Sequence, residues 1–266
     1  MYQGYWFNFR PADMSDSYAR ALLVDRELMA DDLRLNRLSV LSGGLSNRSF
    51  LDIGCGCGEL LVGAQHRGAT VVASEISREA CTFVRERLHI PVAEGPFSPS
   101  GFVATYGRMD IVTMSDLIEH LSDPLSMLQS ALEVLKPAGL LMILTPNGGA
   151  AGGREETAQP WVGFRVDLEH LQYFSAKTVQ QVSLRLGCCI EELETFGYPG
   201  LDGIDRVPTV PTPSVRRFVR QQLKKITVAR RLVRYVRRAR MRLTVDERRG
   251  SYRLLAILRK GEAAEV

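Results

Sequence analysis

Three glycines alternate through Leu51-Asp52-Ile53-Gly54-Cys55-Gly56-Cys57-Gly58, a pattern that turns a backbone tightly and lets a ligand approach where a Cβ would block it. Glu75 follows 21 residues after Gly54, and a carboxylate at that distance can accept two hydrogen bonds from a ribose diol. Together they read as a nucleoside site. Glu59 stands where a dinucleotide fingerprint needs its third glycine, so a pyrophosphate would meet an acid and phosphate is disfavoured. A second group, Asp116, Glu119 and His120, is joined by His170 in Asp167-Leu168-Glu169-His170. A neutral imidazole at position 120 can take a proton from a hydroxyl nucleophile, and the acids and histidines together suggest a metal. Plainer readings stand beside these: a tight turn for the glycines, a turn-stabilising carboxylate for Asp52, and a locally bonded histidine at a helix start for His120.

The elements that must position these residues alternate. Residues from about Ser15 to Leu38 place apolar side chains at helical spacing, one or two amphipathic helices that Gly43-Gly44 stops. Ser49 to Ile53 is a short apolar strand, Glu59 to Gln65 a helix, and Thr70 to Ser74 a second strand. Ser77 can cap a helix running to about Leu88, before a brief strand at Pro91-Val92-Ala93. Met109 to Met114 is a fourth strand, Asp123-Pro124 opens a helix, Lys136-Pro137-Ala138-Gly139 ends it, and Leu140 to Leu144 is a buried strand. Pro146 to Val166 reads as a loop, Ser175 to Leu186 as a helix, and Ile190–Thr195 and Tyr252–Leu258 as closing strands. Nearly continuous apolar strands alternating with helices predict an α/β fold with a parallel sheet covered on both faces.

The glycine motif with its acid resembles the first motif of the class I S-adenosylmethionine-dependent methyltransferases, and the resemblance covers about Ser49 to Glu194. Asp110 to Pro124, which contains Ser115-Asp116-Leu117-Ile118-Glu119-His120, is similar to the fourth-strand segment of the ubiquinone-biosynthesis-like O-methyltransferase subgroup, as is Leu135-Lys136-Pro137-Ala138-Gly139. The resemblance implies a Rossmann-like, seven-stranded sheet, mostly parallel with an antiparallel closing strand. It implies S-adenosylmethionine as cofactor, with Gly54, Cys55, Gly56 and Gly58 along its methionine part and Asp52 near the ammonium. Glu75 and Ile76 would hold ribose and adenine, Glu94 would meet the adenine amino group, and Ser115 and Leu117 would flank the reacting end. His120 and His170 are the catalytic candidates. The acid and histidine cluster is also similar to one that binds a divalent ion in ubiquinone O-methyltransferases and small-RNA 2′-O-methyltransferases, where oxygen and imidazole ligands suit Mg²⁺, Mn²⁺ or Zn²⁺. This chain has Asp116 where those families favour Glu, and no metal ligand is assigned.

Composition narrows the class further. With 266 residues and 45% hydrophobic content the chain is that of a globular protein, which excludes disordered and collagen-like classes. Five cysteines without CxxC spacing read as reduced thiols. Neither a signal peptide nor a membrane span is evident, so the expectation is a cytoplasmic protein. The net charge is +4, yet 15 Lys/Arg against two acids between Arg206 and Arg249 give that stretch +13, so the rest must carry −9. There, Val215, Val219, Leu223, Ile226, Val233 and Val236 repeat opposite arginines and lysines, as in a helix lying on anionic lipid. Four regions are expected: a helical lid over 1–44 with the aromatics Tyr5, Trp6, Phe7, Phe9 and Tyr18, a cofactor-binding core over 45–200, a basic helical insertion over 201–250, and a closing strand over 251–266. The expected activity is methyl transfer to oxygen of a small or lipid-linked metabolite, with peripheral contact to an anionic membrane through 214–240. RNA 2′-O-methylation and a non-catalytic cofactor-binding scaffold are the competing readings.

Overall fold

The computed structural model describes residues 16–148, 170–196 and 253–261. The expected lid aromatics Tyr5, Trp6, Phe7 and Phe9, most of the expected loop over 146–166 and the basic helix over 214–240 lie outside them. Two compact units divide the chain, Met1–Glu194 with Leu254–Val266, and Thr195–Arg253.

The N-terminal apolar periodicity becomes three helices, α1 (Asp16–Val24), α2 (Arg26–Ala30) and α3 (Leu33–Ser42). Asp32 caps α3 by accepting the amide of Arg34, and Gly43, left-handed at φ 70°, ends it. Strand and helix then alternate through β1 (Ser49–Ile53), α4 (Glu59–His66), β2 (Thr70–Glu75), α5 (Arg78–Arg87), β3 (Val92–Glu94), α6 (Pro99–Tyr106) and β4 (Met109–Ser115). A 3-10 turn at Ile118–His120 precedes α7 (Pro124–Val134), β5 (Leu135–Pro146), α8 (Ala176–Arg185), β6 (Cys188–Phe196) and β7 (Arg253–Lys260). Ser77, Asp123 and Ser175 cap α5, α7 and α8 through their side chains.

The seven strands form one mixed, mostly parallel sheet in the order β3-β2-β1-β4-β5-β7-β6. β1 pairs in parallel with β2 on one side and β4 on the other, so strand order reverses between β1 and β4. At such a reversal the loops leaving the two strands diverge, and the crevice between their C-terminal ends is where ligands bind. Residues Leu140 to Leu144, Ile111 and Val112, and Leu254 to Leu258 are all buried, which explains their unbroken apolar runs.

Three details differ from the sequence expectation. Helix α6 arises from Pro99-Ser100-Gly101-Phe102, a segment whose only fully buried residue is Phe102 and which therefore shows no apolar periodicity. Helix α7 stops at Val134, and Leu135 to Gly139 belong to β5, admitted by a register shift between Met109 and Ile111. His120 ends the 3-10 turn rather than starting a helix.

Gly63 lies inside α4, where helix propensity alone favours alanine by about 1 kcal/mol. An added Cβ would stand 2.4 Å from the Met29 carbonyl oxygen and 2.8 Å from a Leu35 methyl, because α2 and α3 approach α4 at that point. The backbone contact decides the sign. Gly63→Ala should destabilise the fold by about 1–3 kcal/mol in urea titration, on the scale of overpacked cores; a gain in stability would show that α2 is not seated there.

Candidate active site

The loop from Gly54 to Gly58 crosses the C-terminal end of the sheet with φ of 73°, 53° and 75° at its three glycines. Two of them are also places of close approach. A Cβ on Gly54 would lie 3.1 Å from Leu117, and one on Gly58 3.0 Å from Leu88 and 3.3 Å from Val84. Leu117, expected at the reacting end, thus sits directly against the glycine loop.

Glu75 is fixed by backbone donors. Its Oε2 accepts from the Gly56 amide at 3.0 Å, and its Oε1 from the amides of Ile76 and Ser77 at 2.8 and 2.9 Å. A carboxylate offers about four acceptor sites. Three are therefore occupied and about one is open. Ile76 is exposed beside it. Glu94 lies next to Glu75 across the β2–β3 ladder, but its side chain is ion-paired with Arg85 at 2.9 Å.

Asp52 is 4% exposed on β1 and accepts a 2.6 Å hydrogen bond from Thr113 on β4. Burial pushes its carboxyl up from 3.8 to about 6, against the pull of the Thr113 bond and of the Arg34 charge. Cys55 on the loop is pushed well above the usual thiol range, first by burial and then by the charges of Asp52 and Glu75. Those causes disfavour its thiolate form. Arg34 itself was not singled out from the sequence. It donates Nη1 to Ser115 at 3.0 Å and pairs in two bonds with Asp32, so the start of α3 places a guanidinium at the end of β4 near Asp52. A lone arginine in the polar opening of a helix carries no motif that would have revealed it.

Beyond Leu117 the chain turns sharply. Asp116 is left-handed at φ 52° and its amide is bonded to the Leu144 carbonyl. The turn delivers Glu119, fully buried, whose Oε2 accepts from Thr145 at 2.9 Å and whose Oε1 lies 4.0 Å from His120 Nε2. Burial raises the Glu119 carboxyl from 4.5 to about 7, opposed by a backbone bond and by Thr145. His170 comes from a distant segment stapled to the same turn, since the Leu171 amide donates to the Glu119 carbonyl and the Gln172 side chain to the Leu121 carbonyl. The two imidazoles meet edge to face at 4.7 Å. Among the described residues, Glu119, His120 and His170 are a group able to hold a metal ion, with one ligand atom each within 4.8 Å of the others. Asp116 does not belong to that group. Asp167 and Glu169 lie outside the described residues.

Residues 8–193 match the family described as "Methyltransferase domain". The chain belongs to this methyltransferase family. Its cofactor is S-adenosylmethionine, in keeping with the glycine loop and Glu75. This methyltransferase is similar to curated proteins named "Ubiquinone biosynthesis O-methyltransferase": it is 32% identical over 119 residues to that of Alkalilimnicola ehrlichii, 43% of this chain and 48% of the relative. To that of Proteus mirabilis it is 33% identical over 121 residues, 43% of this chain and 49% of the relative. It thus spans about half the length of the curated relatives it matches. Among solved structures, a SAM-dependent methyltransferase from Archaeoglobus fulgidus superposes at TM-score 0.55 with 18% identity, covering 96% of this chain and 100% of the other. Haemonchus contortus phosphoethanolamine N-methyltransferase 2, in complex with S-adenosylmethionine, superposes at 0.52 with 16% identity, covering 96% and 59%. Both structural likenesses bear on the fold alone.

The raised Asp52 carboxyl has a consequence for stability. Its folded-state value of about 6 exceeds the unfolded 3.8, so ionising it opposes folding. That penalty is absent below about pH 4, grows between the two values and is complete above about pH 6. Asp52→Asn keeps an acceptor for Thr113 and removes the charge. Denaturant unfolding should show the variant more stable by about 1–3 kcal/mol near pH 8, with the gap closing towards pH 4. Equal stability at both pH values would mean that Asp52 is better solvated than its burial indicates.

Proposed function

We propose that this methyltransferase moves the methyl group of S-adenosylmethionine to a hydroxyl oxygen of a small or lipid-linked metabolite. The observation that carries the oxygen assignment is the pair His120 and His170 beside the buried Glu119, with His120 three residues past the loop-contacting Leu117. A neutral amine can attack a sulfonium methyl unaided, whereas a hydroxyl has to lose its proton, and a histidine beside the methyl supplies the base. The printed name of the curated relatives supports the same acceptor class.

In this reading the backbone of Gly54 to Gly58 receives the methionine part of the cofactor, with Asp52 near its ammonium and Arg34 near its carboxylate. Glu75 and Ile76 hold the ribose and the adenine. The acceptor oxygen attacks the methyl carbon in line as the carbon–sulfur bond breaks. That bond's electron pair stays on sulfur, giving S-adenosylhomocysteine, and His120 takes the hydroxyl proton. Leu117 and the walls of the crevice keep water from competing for the methyl.

A divalent ion fits the same residues, because Glu119 Oε1 is buried without a hydrogen bond. Glu119, His120 and His170 would hold it, and it would supply a Lewis acid that lowers the acceptor's pKa. In that variant His120 serves as ligand instead of base.

The partner surface is proposed from sequence. The basic stretch between Arg206 and Arg249 supports contact with anionic lipid, and no helix among the described residues is long and apolar enough to cross a membrane. The same charge also favours the second reading, RNA 2′-O-methylation.

Two variants separate cofactor binding from chemistry. Glu75→Ala should weaken S-adenosylhomocysteine binding by about 1.5–3 kcal/mol in calorimetry, on the scale of hydrogen bonds to a charged acceptor. His120→Ala should leave that affinity unchanged and lower methyl transfer about 10²-fold or more. Transfer is followed with methyl-labelled cofactor in cell extract resolved into lipid, small-molecule and RNA fractions. Label in RNA overturns the metabolite reading, and wild-type turnover in His120→Ala removes the base.

The membrane arm is tested by sedimentation with neutral and anionic vesicles. Each basic residue near the surface contributes about 1 kcal/mol, so Arg216, Arg217, Arg220 and Lys224 changed to Gln should lose most of a salt-sensitive attachment. Negligible binding of the wild type to both vesicle types rejects it.

A further inference from the structure

Strand β5 is apolar from Leu140 to Leu144, then places one hydroxyl, Thr145, in the fully buried interior. Burying a hydroxyl is unfavourable unless a hydrogen bond offsets it, and the bond it makes is to the equally buried carboxyl of Glu119, at 2.9 Å on Oε2. That side-chain donor, which acts beside the residue's own backbone amide, makes the two carboxyl oxygens inequivalent. Oε2 is held by β5, while Oε1 accepts no hydrogen bond and lies 4.0 Å from His120 Nε2. The backbone fixes the same residue from another side, through the Leu171 amide on the Glu119 carbonyl at 2.8 Å, next to His170. The Asp116 amide bond to the Leu144 carbonyl, at 2.8 Å, ties the start of the turn to the residue before Thr145.

We propose that Thr145 is a positioning residue, whose hydroxyl orients the buried Glu119 carboxyl so that Oε1 faces the His120 and His170 pair. The inference rests on the reading of that pair as the reactive end of the site. Without the hydroxyl, Oε2 loses its side-chain anchor on β5 and the direction of Oε1 loosens, whether it orients an imidazole or binds a cation.

The experiment uses the full chain with ¹⁵N-labelled histidine at one fixed pH, with the His120 and His170 signals assigned by His120→Gln and His170→Gln. Thr145→Val, which keeps the shape and removes the donor, should move the imidazole nitrogen shifts of His120. Thr145→Ser should restore them. In a Glu119→Gln background the valine change should have no further effect on His120, because Thr145 acts through the carboxylate. Should Thr145→Val not fold, Thr145→Cys, a weaker donor of similar size, carries the same test, and wild-type shifts in it overturn the proposal. Unmoved shifts in a folded Thr145→Val, or an equal effect with and without Glu119→Gln, overturn it as well.

Zinc titration by calorimetry provides a second readout. The valine variant should bind about tenfold or more weakly and the serine variant close to wild type, the size of effect expected for a group that orients a ligand. S-adenosylhomocysteine affinity should stay constant in all of them. If the wild type takes up no zinc, the metal variant of the proposed function fails, while the imidazole shifts still decide the role of Thr145.

Discussion

The glycine loop passes between two apolar walls that a Cβ at Gly54 or Gly58 would crowd at 3.0–3.1 Å, on top of the left-handed backbone both residues adopt. Leu117 forms one wall and Leu88 with Val84 the other, so the turn after β4 and the helix after β2 are both placed by contact with this loop. The Glu75 carboxylate then ties the loop tip to the end of β2 through the Gly56 amide. Once the loop is seated, the direction of the chain after Leu117 follows, and with it the position of Glu119 and His120. The glycine loop and the histidine turn are in this sense one packing problem. A larger residue at either glycine would have to push back Leu117 or α5, and both ends would shift together.

Charge is distributed unequally between the two edges of the sheet. At the N-terminal ends of the strands, burial pushes Asp110 up, but hydrogen bonds from Lys136 and Ser49 outweigh it and hold the carboxyl below its usual value. At the C-terminal ends Asp52 and Glu119 each receive one side-chain hydroxyl, from Thr113 and Thr145, and both are raised by burial. A neutral hydroxyl compensates a buried carboxylate far less than an ammonium does. The Asp110–Lys136 pair thus lies at the edge opposite the glycine loop, and the two poorly compensated acids lie on the loop's side. Arg34 lowers the penalty at Asp52 without abolishing it.

Much of this was legible in the chain. The alternating pattern gave away the parallel sheet, and Ser77, Asp123 and Ser175 announced their helices because a capping side chain acts within three residues. The glycine loop and His120 were readable from their neighbours in sequence, and Glu75 from the fixed offset that a strand–helix–strand unit sets between its two strand ends. Arg34 and Thr145 were not, because each acts across more than twenty residues through one contact, with Ser115 and with Glu119. Nothing near either residue in sequence marks it. Glu94 shows the converse: it is the last residue of β3, one place earlier than a strand over Pro91–Ala93 sets it, while the pull of Arg85 on its side chain comes from a helix surface that no linear motif records.

Strand β7 has consequences for the order of assembly. It occupies an interior place between β5 and β6, although it is the last of the seven strands to leave the ribosome. Until residues 253–260 are available, the edge of β5 and the inner edge of β6 both present unpaired backbone groups. Five sheet strands can associate during synthesis in the order in which they appear, but β6 has to wait for a segment made more than fifty residues after it. Such non-local closure slows folding and prolongs the exposure of an apolar edge. A ribosome stalled before Arg253 would hold a chain whose cofactor loop and histidine turn are already made, yet whose sheet invites pairing with a neighbouring nascent chain.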